Sequence, residues 1–312
     1  MNAKYSIVVP LYNEEAVIGE TYKRLKKVMD GVGEPYELVL VNDGSRDETM
    51  ALAAAICEKD KNVKLINFSR NFGHQVAITA GMDYTSGEAI AVIDADLQDP
   101  PGVIPQMIEK WKEGYDVVYG KRVKRKGETF FKKFTAKLFY RALASLTTVK
   151  IPVDTGDFRL IDRKVCDALK QLPERNRYVR GLVSWAGFKQ TAVEYVREER
   201  FAGETKYPLK KMLKFAADGI TSFSDKPLKW AGSCGVAMSG VSFLYLAWVL
   251  VQKVAYHIAV PIWASVMAFN MFWSGVIMIM LGVMGAYVGR IYDEVKGRPL
   301  YIVAEKVNFE EE

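Results

Sequence analysis

Two stretches of this 312-residue chain carry no charged side chain: Trp230 to Val251, 22 residues, and Ser265 to Gly289, 25 residues. Each is long enough to cross a hydrocarbon core of about 30 Å as a helix. Neither has the polar face that a helix packed on a globular core keeps toward water. The link from Gln252 to Ala264 holds one firm charge, Lys253, whereas Lys226, Lys229, Arg290, Lys296 and Arg298 flank the outer ends. The positive-inside rule then puts both outer ends in the cytoplasm and the link outside. A globular cytoplasmic part, running to about Pro227, is therefore expected to sit on a two-helix hairpin in the cell membrane, with both termini cytoplasmic.

Other features agree with that setting. The three cysteines, Cys57, Cys166 and Cys234, are far apart and odd in number, which suggests neither a disulfide framework nor a zinc cluster and fits a reducing compartment. Met1 to Asn13 has no basic start or cleavable apolar segment and runs straight into a strand. The net charge is +6, yet Lys121 to Arg141 alone holds nine Lys and Arg against a single acid, Glu128. Beside membrane spans such a cluster attracts anionic headgroups or phosphates. Within Phe130 to Leu146, apolar residues recur at three- and four-residue spacing beside Lys133, Lys137 and Arg141. Lys206 to Ser224 repeats the design with Met212, Ala216, Ile220 and Phe223 beside Lys210, Lys211 and Lys214. Apolar stripes of this kind commonly cover a core, but basic amphipathic helices leading into membrane spans lie in the interface and would hold the domain against an anionic surface.

The globular part alternates buried strands with helices. Tyr5 to Pro10, Tyr36 to Asn42, Val63 to Phe68, the run into Asp94 and Asp116 to Tyr119 are apolar, β-branched segments separated by helical patterns. This alternation predicts an α/β fold with a mostly parallel sheet covered on both faces. The run Ala91 to Pro100 ends in three carboxylates and an amide. Residues two apart at a strand end point the same way, so Asp94 and Asp96 face one cavity and Gln98 follows as the chain turns. Oxygen ligands without His or Cys suit Mg²⁺ or Mn²⁺, whose shell is completed by substrate phosphates. Asp-rich turns also serve as helix caps. Here, however, Tyr12, Asp43, Arg70, Asp94 and Arg122 all fall at carboxyl ends of strands, where such sheets bind ligands. Neither G-x-G-x-x-G nor G-x-x-x-x-G-K-S/T occurs at a strand end, so a dinucleotide or P-loop reading loses its main support, and nothing points to nucleic acid.

Seven motifs in order give the chain a specific resemblance. They are Val-Val-Pro-Leu-Tyr-Asn-Glu at 8–14, Val-Asn-Asp-Gly-Ser at 41–45, Ser-Arg-Asn-Phe-Gly at 69–73, Asp-Ala-Asp-Leu-Gln-Asp-Pro at 94–100, Gly-Asp-Phe-Arg-Leu at 156–160, Gly-Glu-Thr-Lys-Tyr at 203–207 and Gly-Arg-Ile-Tyr at 289–292. Followed by two spans, this set resembles inverting family-2 glycosyltransferases of the GT-A fold, specifically polyprenyl-phosphate glycosyltransferases similar to dolichol-phosphate mannose synthase and bactoprenol glucosyltransferases. The resemblance implies a Rossmann-like GT-A domain over 1–205, a juxtamembrane amphipathic segment over 206–229, the spans at about 230–251 and 265–289, and a cytoplasmic tail over 290–312. It implies that Pro10, Tyr12, Glu14 and Asp43 hold the base and ribose of a nucleotide-sugar donor. Asp94, Asp96 and Gln98 would hold the metal and diphosphate. Arg122 would meet phosphate as a catalytic residue, with Lys132 or Lys133 near a second acceptor-phosphate position. Arg200 and Lys206 would close over the diphosphate from a mobile loop, and Asp157 matches a proposed catalytic base.

The implied reaction is inverting transfer of a sugar to polyprenyl (undecaprenyl) phosphate at the cytoplasmic membrane face, for cell-envelope glycosylation. UDP-glucose is the first expectation for the donor and UDP-N-acetylglucosamine the second. A phosphate monoester with a second pKa near 6 is already largely a dianion at neutral pH, so Asp157 is as well suited to orienting the acceptor as to deprotonating it. A homo-oligomer stays open as an assembly. Two other functions compete: a processive polysaccharide synthase, although Gln-x-x-Arg-Trp is missing, and a membrane adaptor without catalysis, which would not need the acidic, amide and basic set.

Overall fold

Apolar, β-branched runs with no polar face have one stable place in a globular domain, under helices on both sides of a sheet. β1 (Tyr5–Leu11) occupies it, with all seven residues buried. The computed structural model describes residues 3–123, 152, 155–172, 174–198 and 263–309, with eleven isolated positions between 228 and 251. In chain order β1 is followed by α1 (Ile18–Val32), β2 (Tyr36–Asn42), α2 (Thr49–Lys59), β3 (Val63–Phe68), α3 (His74–Asp83) and β4 (Ala89–Val92). The four strands pair parallel in the order β3-β2-β1-β4. A 3₁₀ turn at Pro101–Val103 leads into α4 (Ile104–Lys112) and β5 (Val117–Arg122).

The expected mostly parallel sheet describes this half; the remainder is mixed. β6 (Thr155–Asp162) inserts between β4 and β5, antiparallel to both. α5 (Arg163–Lys170) and α6 (Val179–Trp185) follow, then β7 (Gln190–Tyr195), which pairs parallel with β5 at one edge. The opposite edge is closed by β8 (Val303–Val307), antiparallel to β3. The full order is β7-β5-β6-β4-β1-β2-β3-β8. Side chains alternate across the sheet. Tyr5, Ile7, Val9 and Leu11 pack with Leu25, Met29 and Met107 of α1 and α4 on one face. Val8 and Val41 face α3 on the other, where α3 also meets α5 and α6.

Strand directions decide where the chain leaves the domain. The carboxyl ends of β1, β2, β4, β5 and β7 lie at one end of the sheet, together with the amino ends of the antiparallel β6 and β8. The chain passes into undescribed segments at Val123, before Thr155 and after Glu198, all at that end, and enters β8 there too.

Two units divide the chain, Met1–Ala216 with Arg298–Glu312, and Ala217–Gly297. The described part of the second is mainly α7 (Trp263–Val295), 33 residues, extending past the uncharged stretch at both ends. Its segment Phe272–Val295 is long and apolar enough to cross a membrane. The eleven isolated positions from Leu228 to Val251 are helical. Most of the first uncharged stretch, most of the link and both basic amphipathic segments lie outside the described residues. One candidate span, not a two-span hairpin, is therefore seen among the described residues. The expected tail is part helix, to Val295, and part sheet, in β8.

Candidate active site

The site is built at the sheet end just defined, from loops stitched together by backbone polar groups. After β1, the amides of Asn13 and Glu14 donate to Ser45 Oγ at 3.0 Å and Thr49 Oγ1 at 2.8 Å, tying this loop to the one after β2. Pro10 pairs with Val41 within the sheet, and Tyr12 is exposed just beyond β1. Asp43 is buried, and its carboxylate accepts from Phe72 N at 2.6 Å, Gly73 N at 3.0 Å and Asn71 Nδ2 at 2.9 Å. The carboxylate expected to hold base or ribose is thus committed to the loop 71–73. That loop presses on the turn after β2 so closely that a Cβ on Gly44, at φ +64°, would lie 2.5 Å from Arg70 C and Asn71 N.

Asp94 follows β4, and Asp96 Oδ1 accepts from Gln98 N at 3.1 Å. Between Asp96 and Gln98, Leu97 holds φ +59° with its side chain buried, a backbone conformation that concentrates at functional loops. Thr21 Oγ1 donates to Ala95 O at 2.7 Å, fixing the loop to α1. His74, the first residue of α3, joins two of the expected site residues. Its Nε2 lies 3.5 Å from Asp94 Oδ1 and 3.4 Å from Asp157 Oδ2. Gln75 Nε2 donates to Asp157 Oδ2 at 2.9 Å while Gln75 Oε1 accepts from Val179 N at 2.9 Å, so one amide braces β6 against α6. Arg180 Nη2 approaches the other oxygen, Asp157 Oδ1, at 3.5 Å. Buried Arg159 donates to the carbonyls of Asp157 and Gly156.

These contacts drive the carboxylates apart in acidity. Burial would raise Asp157, but the His74 hydrogen bond and the Arg180, His74 and Arg159 charges outweigh it and hold the group far below the usual carboxylate range. Burial, then the Asp157, Asp99 and Asp96 charges, push Asp94 up to about 6 against the pull of His74. Burial disfavours the imidazolium of His74, yet Asp157, Asp94 and Asp43 raise it to about 9. A carboxylate held so firmly ionised is a poor proton acceptor and a good fixed charge.

Arg122 is placed elsewhere. Its Nη2 donates to Asp99 at 3.2 Å and its Nε to Tyr195 Oη at 3.1 Å, while Tyr195 Oη donates to Asp99. A Cβ on Gly156 would meet Arg122 Nη2 at 2.5 Å, so the guanidinium passes through the space that glycine leaves. Gln98 Oε1 accepts from Arg197 Nη2 at 2.6 Å, and Gln98 O from Glu198 N at 2.9 Å, which anchors the segment after β7 to the Asp96 loop. Lys132, Lys133, Arg200 and Lys206 lie outside the described residues.

The donor set suits a hard cation. Asp94 Oδ1 is a buried oxygen that accepts no hydrogen bond. Among the described residues no three carboxylate, imidazole or thiolate groups form a ready cage. Two carboxylates completed by phosphate oxygens is the way Mg²⁺ is ordinarily held.

Residues 6–170 match the family model described as Glycosyl transferase family 2. The chain belongs to glycosyl transferase family 2. This member is 62% identical over 307 residues, 98% of this chain and 95% of the relative, to YkcC of Bacillus subtilis (strain 168), described as an uncharacterized glycosyltransferase. It is 42% identical over 96% of its length to the bactoprenol glucosyl transferase of Shigella phage SfII, covering 97% of that protein. Among solved structures, glucosyl-3-phosphoglycerate synthase from Mycobacterium tuberculosis in complex with Mn²⁺, UDP-glucose and phosphoglyceric acid superposes with a TM-score of 0.49. The two are 21% identical over 70% of this chain and 78% of that one. The protein is a glycosyltransferase, and the reading as a non-catalytic adaptor falls.

His74, Gln75, Arg180, Tyr195 and Arg197 were not singled out from the sequence, and Asp99 was read only as the third carboxylate of its run. The strand-end rule reaches Arg70 and stops four residues short of His74. Arg175, Arg177 and Arg180 form a basic stretch legible as such, but nothing in the sequence says that it faces Asp157.

Proposed function

We propose that this glycosyltransferase moves a sugar from a UDP-sugar, UDP-glucose first and UDP-N-acetylglucosamine second, onto polyprenyl phosphate at the cytoplasmic membrane face, with inversion. The observation that carries the reading is the shared end of the sheet. Asp94, Asp96 and Asp157 lie at the end where the chain departs toward both basic segments and the apolar unit, and where it returns into β8. An acceptor whose tail stays in hydrocarbon keeps its phosphate near the headgroup layer, so its enzyme must present its catalytic end to the membrane. The name carried by relatives such as the Shigella phage protein supports a lipid-phosphate acceptor over a processive synthase.

The same topology supports two crossings. β8 and β1 belong to one sheet, which favours an even number of crossings between them. If α7 is one crossing, the uncharged Trp230 to Val251 is the natural second, and both termini stay cytoplasmic.

In the reaction, Asp94 and Asp96 would hold a divalent cation that carries part of the diphosphate's charge. The loop 71–73, clamped by Asp43, sets the position of His74 at the start of α3. Asp157, ionised and held by His74, Gln75 and Arg180, orients the acceptor, which arrives as a dianion and needs no base. Arg200 and Lys206 would close over the leaving diphosphate. The test is a panel of nucleotide sugars with purified full-length protein, undecaprenyl phosphate and Mg²⁺ or Mn²⁺. UDP-glucose should be consumed only when the lipid is present, yielding a lipid-linked sugar; consumption of no donor, or of donor into a polymer, refutes the reading.

A further inference from the structure

Asp157 receives contacts of two lengths, and the difference gives them different work. Arg180 Nη2 stands 3.5 Å and Arg159 Nη2 3.9 Å from Oδ1, and His74 Nε2 stands 3.4 Å from Oδ2. Charge acts over such separations but fixes direction poorly. Gln75 Nε2 is neutral and lies 2.9 Å from Oδ2, inside the roughly 2.7–3.2 Å range of a well-formed N–H···O bond. The shortest of these contacts to the carboxylate is therefore an amide's, not a cation's.

The other end of that amide is committed as well. Gln75 Oε1 accepts from Val179 N at 2.9 Å, at the first residue of α6, where the N-terminal Tyr178 supplies no side-chain cap. Gln75 is itself the second residue of α3, directly after the loop that Asp43 clamps. The position asks for an acceptor and a donor on one short side chain. Glu meets only the first need and Lys or Arg only the second, while Asn is a methylene shorter. We propose that Gln75 is a positioning residue of the acceptor site, setting the Asp157 carboxylate in register with α6 so that the lipid phosphate is aligned on the donor's anomeric carbon. The neighbouring cations keep Asp157 charged, and Gln75 decides where that charge stands. The assignment rests on the transfer reaction proposed above, and Gln75 acts through Asp157 without touching substrate.

Wild-type full-length enzyme in nanodiscs is assayed first with UDP-glucose and undecaprenyl phosphate, beside Asp157→Ala. Absence of transfer by wild type refutes the reaction and this assignment together. Undiminished kcat in Asp157→Ala leaves the transfer standing but removes the orienting role of Asp157, and the assignment with it. Otherwise Gln75→Met, of similar length and without either hydrogen bond, should lower kcat at least about tenfold, the scale of a misplaced reactant. UDP affinity measured without lipid should stay within about twofold. In the Asp157→Ala background the same substitution should change kcat by less than about twofold, because the group it acts through is gone. An unchanged kcat in the wild-type background, an equal loss in both backgrounds, or a matching loss of UDP affinity overturns the assignment while leaving the reaction standing. If Gln75→Met melts early, Gln75→Glu decides. Its carboxylate still accepts from Val179 N but has no N–H for Asp157, so at native melting temperature it should show the same loss, confined to the background that retains Asp157; any other pattern overturns the proposal.

Discussion

At the scale of single residues, His74 is the hinge of the site, and its charge makes a stability prediction. Its folded pKa of about 9 exceeds the unfolded value of roughly 6.5, so its contribution is complete below pH 6.5 and is lost as pH rises through 9. Asp157 behaves oppositely, losing its contribution only in strong acid. Thermal melts in EDTA should therefore fall between pH 7 and 9 for wild type and stay flatter for His74→Gln; parallel curves would mean that the imidazole is not the titrating group. Asp157→Asn should reduce kcat by about 100-fold near pH 6, the order of a misplaced reactant. That loss should stay constant over pH 6 to 9, because an orienting charge is needed whichever way the acceptor is protonated. A loss confined to low pH and rescued above the acceptor's own pKa would instead make Asp157 a general base. The carboxylates were legible because a strand that ends in Asp-x-Asp exposes its own chemistry. His74 was not, since a lone histidine one residue into a helix gains its meaning only when Asp94 and Asp157, 63 residues apart in sequence, converge on it.

Among elements, the first five strands could be read because each is a continuous apolar run bounded by turn residues. β6 could not: Asp157 and Arg159 interrupt it, and burying Arg159 at 3% exposure is tolerated because its guanidinium donates to backbone carbonyls close to the Asp157 carboxylate. β8 was invisible for a different reason. Five residues, Val-Ala-Glu-Lys-Val, in a segment read as a solvated tail do not announce an edge strand. Its attachment is nevertheless specific. Ser69 N donates to Ile302 O at 3.0 Å, Tyr301 stacks on Phe68 at 5.3 Å, and Asn308 Nδ2 donates to Cys57 O and Val63 O at 2.7 Å each. Asn308→Ala strands two carbonyls and should cost about 1–3 kcal/mol, read as a lower melting temperature of the full chain. No change in melting would detach β8 from the sheet. Its partner β3 leads directly to Ser69 and the loop held by Asp43, so β8 is paired with the strand that carries the loop before His74.

For the whole molecule, composition alone separated a soluble part from an apolar one, but it could not say that the chain returns to the sheet it left. The chain leaves the sheet after β5 and β7, and enters β6 and β8, at the end bearing Asp94, Asp96 and Asp157. Transfer of the sugar to a lipid monophosphate with inversion is tested most directly by the chemistry of the product. Full-length enzyme in nanodiscs is given ¹³C-labelled UDP-glucose and undecaprenyl phosphate, and the products are followed by ¹³C and ³¹P NMR. The expected outcome is one β-linked anomeric carbon coupled to a single lipid phosphate, with UDP released in equal amount. Release of UMP with a pyrophosphate-linked sugar, an α linkage, or glucose polymer without lipid attachment would contradict it.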